Sequence, residues 1–166
     1  MAKLINENIC LDISVGYNYV DICYTDEFYY YVSIYCNNKP IIYIPEFHSR
    51  EENTHVIDFE LNDSKLSEVF FNALENNCEE QIGLTYEGCF DLSIKPNEGT
   101  EDEREKWIVD IQLDSLFFQS RLPKRLEASI KIYCSQEGLL EFAKDLKQEE
   151  QDEISAYEEK YRLIER

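Results

Sequence analysis

Apolar and polar side chains alternate over residues 126–134: Leu126, Ala128, Ile130, Ile132 and Cys134 share one side, and Glu127, Ser129, Lys131 and Tyr133 the other. A period of two predicts a strand with one dry and one wet face. At Ser135 the period changes, and Leu139, Leu140, Phe142, Ala143 and Leu146 recur at helical spacing. Ser135 is placed to cap that helix, and Glu137 to favour its first turn. A strand feeding straight into a helix that must fold back over a sheet predicts a single α+β domain. Its sheet is mostly antiparallel, with two or three helices packed on one face, a C-terminal helix among them.

The same two periods place the other elements. Ile9, Leu11, Ile13 and Val15 alternate with Cys10, Asp12 and Ser14 as a first strand, and Gly16-Tyr17-Asn18 is a turn signal. A second strand is expected over residues 19–24, broken by Thr25-Asp26-Glu27. The run FYYYVSIYC places Phe28, Tyr30, Val32, Ile34 and Cys36 on one face and Tyr29, Tyr31, Ser33 and Tyr35 on the other. Asn37 to Pro40 is a turn, and residues 41–44 a short return strand that completes a meander. Residues 46–53 are polar and irregular, residues 54–61 a strand, and Asn62-Asp63-Ser64 a helix start. Leu66, Val69, Phe70, Ala73 and Leu74 then make one helical stripe ending near Asn76-Asn77. Residues 81–86 and 89–95 form a hairpin around Glu87-Gly88. An acidic loop over residues 96–106 leads to a strand carrying Trp107, Val109, Ile111 and Leu113. The pattern assigns nothing to residues 114–124. Beyond Leu146 an acidic helical tail carries Ile154, Tyr157, Tyr161 and Ile164, either continuing the helix or starting a second near Ile154.

Charge changes the picture. The 166 residues carry a formal net charge of −19, with 43% hydrophobic and 13% aromatic residues. The chain is therefore globular and not a disordered acidic tail. A net charge of about 2–8 in magnitude suffices to keep a small domain soluble. The excess repels nucleic acid and anionic membranes and attracts basic proteins. The N-terminal residues lack a signal-peptide core, and no apolar run is long enough to span a membrane. The six cysteines, Cys10, Cys23, Cys36, Cys78, Cys89 and Cys134, have no CxxC spacing and fall mostly in strands. They read as reduced, half-buried thiols of a cytoplasmic protein.

Candidate chemistry is sparse. GxGxxG, GxxxxGK[ST] and GxSxG are absent from the sequence. His48 and His55 stand seven apart beside Glu51 and Glu52, without the spacing that puts two histidines on one helical face, so they read as loop residues. No metal, cofactor or catalytic residue is expected. The tyrosine face of Tyr29, Tyr31 and Tyr35 has two readings: a half-buried sheet face, or an exposed platform whose large amphipathic rings anchor a partner. Almost no basic residue accompanies it, so a protein partner fits better than stacked bases. Glu101, Asp102 and Glu103 in the acidic loop and Glu149, Glu150, Asp152 and Glu153 in the tail are the carboxylates expected to meet a basic surface.

The C-terminal pattern, an alternating strand, a short turn and EGLLEFAKDL, resembles the ends of several small bacterial immunity proteins. These are cytosolic α+β proteins that neutralise polymorphic or contact-dependent toxins by binding them. The resemblance covers residues 128–146 and implies a cognate toxin, often a nuclease with a basic cleft, and no catalytic residues. The expected function is a non-enzymatic acidic inhibitor. A nucleic-acid mimic with carboxylates in place of phosphates is the second class. A small hydrolase or ligand-binding domain using cysteine or histidine chemistry is the third.

Overall fold

The computed structural model describes residues 2–20, 25–40, 57–62, 65–83, 90–113 and 128–164. They belong to two compact units, one made of Met1–Glu68 with Glu141–Arg166 and the other of Val69–Leu140. The fold is α+β with antiparallel pairing throughout the described strands and two helices, one of them C-terminal. Among the described residues the strands divide between a five-stranded and a four-stranded sheet instead of joining one.

In the first unit, β1 (Ala2–Asn6), β2 (Ile9–Val20), β3 (Thr25–Cys36) and β4 (Lys39–Pro40) pair in chain order, and β5 (Ile57–Asn62) also pairs with β3. β1 is an element the pattern missed: five residues holding one buried leucine, Leu4, and the small Ala2 are too short for alternation to show. Gly16-Tyr17-Asn18 is not a turn, and Thr25-Asp26-Glu27 does not break a strand. β2 and β3 pair without interruption from Ile9↔Cys36 to Val20↔Thr25, with Gly16 opposite Tyr29. Backbone hydrogen bonding along so long a ladder outweighs the local preference of one glycine and three polar residues.

The alternation of β2 and β3 is realised. Leu11, Ile13 and Val15 with Phe28, Tyr30, Val32 and Ile34 form the dry face and are buried. Asn37 and Asn38, with φ of 51° and 61°, make the two-residue link from Cys36 to Lys39, the positive-φ pair that a tight hairpin demands. α1 (Leu66–Asn76) buries Leu66, Phe70 and Ala73. It ends where Asn77 turns left-handed (φ 48°) and the Cys78 N–H donates to the Ala73 carbonyl at 3.2 Å, which satisfies a terminal carbonyl.

In the second unit β6 (Glu80–Gly83), β7 (Phe90–Pro96), β8 (Trp107–Leu113) and β9 (Ala128–Cys134) form an antiparallel meander. Leu92, Ile94, Trp107, Val109, Ile111, Ile132 and Cys134 are its buried apolar residues. Ser135 caps α2 (Gln136–Ile164) as its position predicts: its Oγ accepts from the Gly138 N–H at 3.0 Å, and its carbonyl from the Leu139 N–H. α2 runs unbroken for 29 residues, so the tail is one helix and not two. No helix among the described residues is long and apolar enough to cross a membrane. The strand expected at 41–44, the loop at 46–53 with His48, Glu51 and Glu52, His55, the Glu87-Gly88 turn and the connection at 114–124 lie outside the described residues.

Candidate functional site

The most elaborate polar arrangement lies inside the first unit and is built on a carboxylate. Glu150 of α2 is fully buried. Its Oε1 accepts from the Tyr30 hydroxyl at 2.9 Å and the Ser67 N–H at 3.0 Å, and its Oε2 from the Ser67 hydroxyl at 2.5 Å. The Tyr30 oxygen in turn accepts from the Leu66 N–H at 2.9 Å. The Leu66 and Ser67 N–H groups belong to the first turn of α1, where no intrahelical acceptor exists. A side chain 83 residues further along the chain from Ser67 therefore supplies the cap. Burial raises the Glu150 carboxyl above the usual carboxylate range, and the bonds from Ser67 and Tyr30 and the charge of Lys65 oppose the rise. Burial, and then the charge of Glu150, raises the Tyr30 phenol.

Aromatic contacts continue the joint along the same face. Tyr157 of α2 meets Tyr17 of β2 edge-on at 5.2 Å, Tyr17 meets Phe28 at 5.0 Å, and the Lys65 ammonium stands 5.6 Å from the Phe28 ring centroid. Such pairs contribute about 0.5–1.5 kcal/mol each beyond area burial. The arrangement locks α2, β3 and the start of α1 together. Both oxygens of the Glu150 carboxylate are engaged within the fold, so it acts as a structural joint.

Glu150 is thus placed otherwise than on the surface where the acidic tail was expected to present it. Its neighbours in that set differ: Glu149 and Glu153 are half-buried, and Asp152 is exposed, accepting from Gln148 Nε2 at 2.8 Å. The signal was present in the sequence. Leu139, Phe142, Ala143 and Leu146 are buried, and the next step of four along their stripe is Glu150, with Tyr157 seven beyond.

Glu101, Asp102 and Glu103 lie in the second unit, on the loop between β7 and β8. The Asn97 N–H closes that loop onto the Lys106 carbonyl at 2.7 Å, and Asn97 Nδ2 donates to the Glu105 carbonyl at 2.9 Å. Asp102 caps the single 3-10 turn Glu103–Glu105 by accepting from the Arg104 N–H at 3.0 Å, and the Arg104 guanidinium returns to both its oxygens at 3.0 and 2.7 Å. Those bonds hold the Asp102 carboxyl at about 2. Glu103 pairs with Lys106 at 3.4 Å, while Glu101 is exposed.

On the tyrosine face, Tyr29 and Tyr31 are strand residues of β3 whose side chains lie outside the described set, and Tyr35 is half-buried. The centre of that face is closed to solvent at Asp12 and Ser33, which pair across β2 and β3, with Lys3 3.5 Å from Asp12. A third interior carboxylate, Asp110 of β8, accepts from the Ser129 hydroxyl at 2.6 Å and lies 3.9 Å from Lys131.

Among the described residues Cys10, Cys36, Cys78 and Cys134 are free thiols, and burial pushes Cys134 up to about 12. No group of three or more histidine, cysteine or acidic side chains fit to hold a metal occurs among the described residues. Compared with protein-family models, with curated proteins and with solved structures, the chain matches none.

Proposed function

We propose that this chain is a non-enzymatic, acidic protein-binding inhibitor of the cytoplasm, an immunity protein that neutralises a cognate basic toxin such as a nuclease. The observation that carries the reading is how the fold divides its carboxylates. The interior ones, Asp12, Asp110 and Glu150, are each neutralised or hydrogen-bonded within the protein. Most of the other carboxylates among the described residues are exposed. α2 carries nine carboxylates against four basic side chains, and Glu137, Glu141, Asp145, Asp152, Glu158 and Glu159 are exposed along it. Such a field attracts a basic surface and steers its approach. Asp152 and Glu101 are the leading contacts among the expected residues. Glu150 is withdrawn from the set, because its oxygens are already in use.

Affinity capture from the source cell, followed by stopped-flow association from low to high salt, tests the proposal. The captured protein should be basic, and its association rate should fall by about tenfold or more as salt screens the field. An acidic partner, or a rate indifferent to salt, refutes the mechanism. Displacement of DNA from several unrelated DNA-binding proteins would replace it with nucleic-acid mimicry.

A further inference from the structure

Among the described residues no strand pairs with the outer edge of β1. Asn6 and Ile9 flank the two-residue turn Glu7-Asn8, so they form a hydrogen-bonded pair, and bonded pairs recur at Leu4↔Leu11 and Ala2↔Ile13. Lys3 and Ile5 therefore aim their N–H and C=O groups away from β2. Among the described residues β1 pairs with β2 alone, and nothing bonds these outward groups. The side chains agree with the backbone. Ile5, 65% exposed, is the one large hydrophobic residue exposed among the described residues. It begins a row across the sheet, Ile5↔Cys10↔Tyr35, whose next two members are half-buried. Natural edges are usually blunted by shortness, proline, a bulge or a charged side chain such as lysine. β1 has no proline and no bulge in its pairing, and Asp12 draws its lysine back across the sheet.

We propose that this edge receives an extended strand of the basic partner, which adds to the sheet as a sixth strand. This rests on the inhibitor reading above and specifies how the partner is held. The strand offers an apolar side chain beside Ile5 and a basic one two positions away beside Glu7, whose carboxylate is exposed at the turn. Main-chain hydrogen bonds at Lys3 and Ile5 supply register, and the two side chains supply selection. A second copy of the chain suits the edge poorly. It would bring two bodies of charge −19 together, and that repulsion opposes a dimer.

The test uses the full chain, amide hydrogen exchange by NMR, and a blocked probe peptide of sequence Arg-Val-Val-Val-Thr. In the free protein the Lys3 and Ile5 amides should exchange at least about tenfold faster than those of Leu4 and Asn6, whose groups face β2. Saturating peptide should slow Lys3 and Ile5 selectively. Ile5→Pro removes an N–H that β2 does not use and should abolish that protection. Should that variant fail to fold, Glu7→Lys at the exposed turn serves instead, lowering affinity for the peptide by about threefold to tenfold. Lys3 and Ile5 amides already protected in the free chain would overturn the proposal, as would peptide binding that Glu7→Lys leaves unchanged. Protection that grows with protein concentration alone, with a doubled mass in sedimentation, would assign the edge to a second copy and overturn it too. An edge that takes the peptide while the captured partner is acidic would sink the inhibitor reading and leave the edge site standing.

Discussion

Replacing Glu150 with alanine strands three buried donors, the Tyr30 hydroxyl and the N–H and hydroxyl of Ser67. A buried donor left without an acceptor costs about 1–3 kcal/mol, and removing one partner from a buried charged network about 3–5 kcal/mol. Relief of the carboxylate's own desolvation offsets part of this, so Glu150→Ala should lose about 3–5 kcal/mol. That is a large share of the roughly 5–15 kcal/mol that holds a domain folded. Glu150→Gln keeps one oxygen for Tyr30 and the Ser67 N–H and turns its amide toward the Ser67 hydroxyl, so its loss should be about 1–2 kcal/mol.

The two states of Glu150 also differ with pH. Burial raises the carboxyl in the folded chain above its unfolded value of about 4.3. The folded state therefore holds the proton to higher pH than the unfolded one. Its contribution is most favourable below about pH 4, declines as pH rises through the folded value, and is constant above it. Urea unfolding of wild type and Glu150→Gln from pH 4 to pH 8 isolates this effect, since the other carboxylates cancel in the difference. The stability advantage of wild type over Glu150→Gln should shrink as pH rises. If glutamine costs as much as alanine, or the difference grows with pH, the view of this cluster as a buried and desolvated joint is wrong.

Further outcomes follow from other sites. Tyr30→Phe removes the acceptor of the Leu66 N–H and should cost about 1–3 kcal/mol by the same unfolding measurement. Asp110→Ala removes the acceptor of the Ser129 hydroxyl, an exposed group that water can satisfy, and should cost about 0.5–1.5 kcal/mol, with little further loss on adding Ser129→Ala in a double-mutant cycle. Asn38→Val places a β-branched residue at φ 61° and should lower stability by about 1–2 kcal/mol, whereas Asn38→Gly should be neutral or better. The Cys134 thiol, pushed up to about 12 and buried, should resist alkylation at pH 8 in the native chain and react only on unfolding, as mass spectrometry would show.

The elements legible in the sequence are those whose side chains alternate over many residues. The strand ending at Cys134, its passage through Ser135 into α2, the dry face of β3 and the stripe of α1 all follow from burial on one side. Short or two-sided elements were hidden. β1 holds too few apolar residues to announce itself, and Gly16 looked like punctuation because the partner strand that spans it is remote in sequence. By chemical type Glu150 belongs to a run of surface acids, but its position on the helical stripe puts it inside. Which carboxylate goes in depends on Tyr30 and Ser67, 120 and 83 residues distant, and no local pattern encodes that pairing.

The first unit is interrupted in sequence, since Val69–Leu140 stands between its two parts. The acceptor for the first turn of α1 sits at position 150. During synthesis the five-stranded sheet must therefore wait, with Phe28 and Tyr30 unsheltered, while about eighty more residues leave the ribosome at roughly 5–20 per second. For several seconds that aromatic surface is what a nascent-chain chaperone would meet.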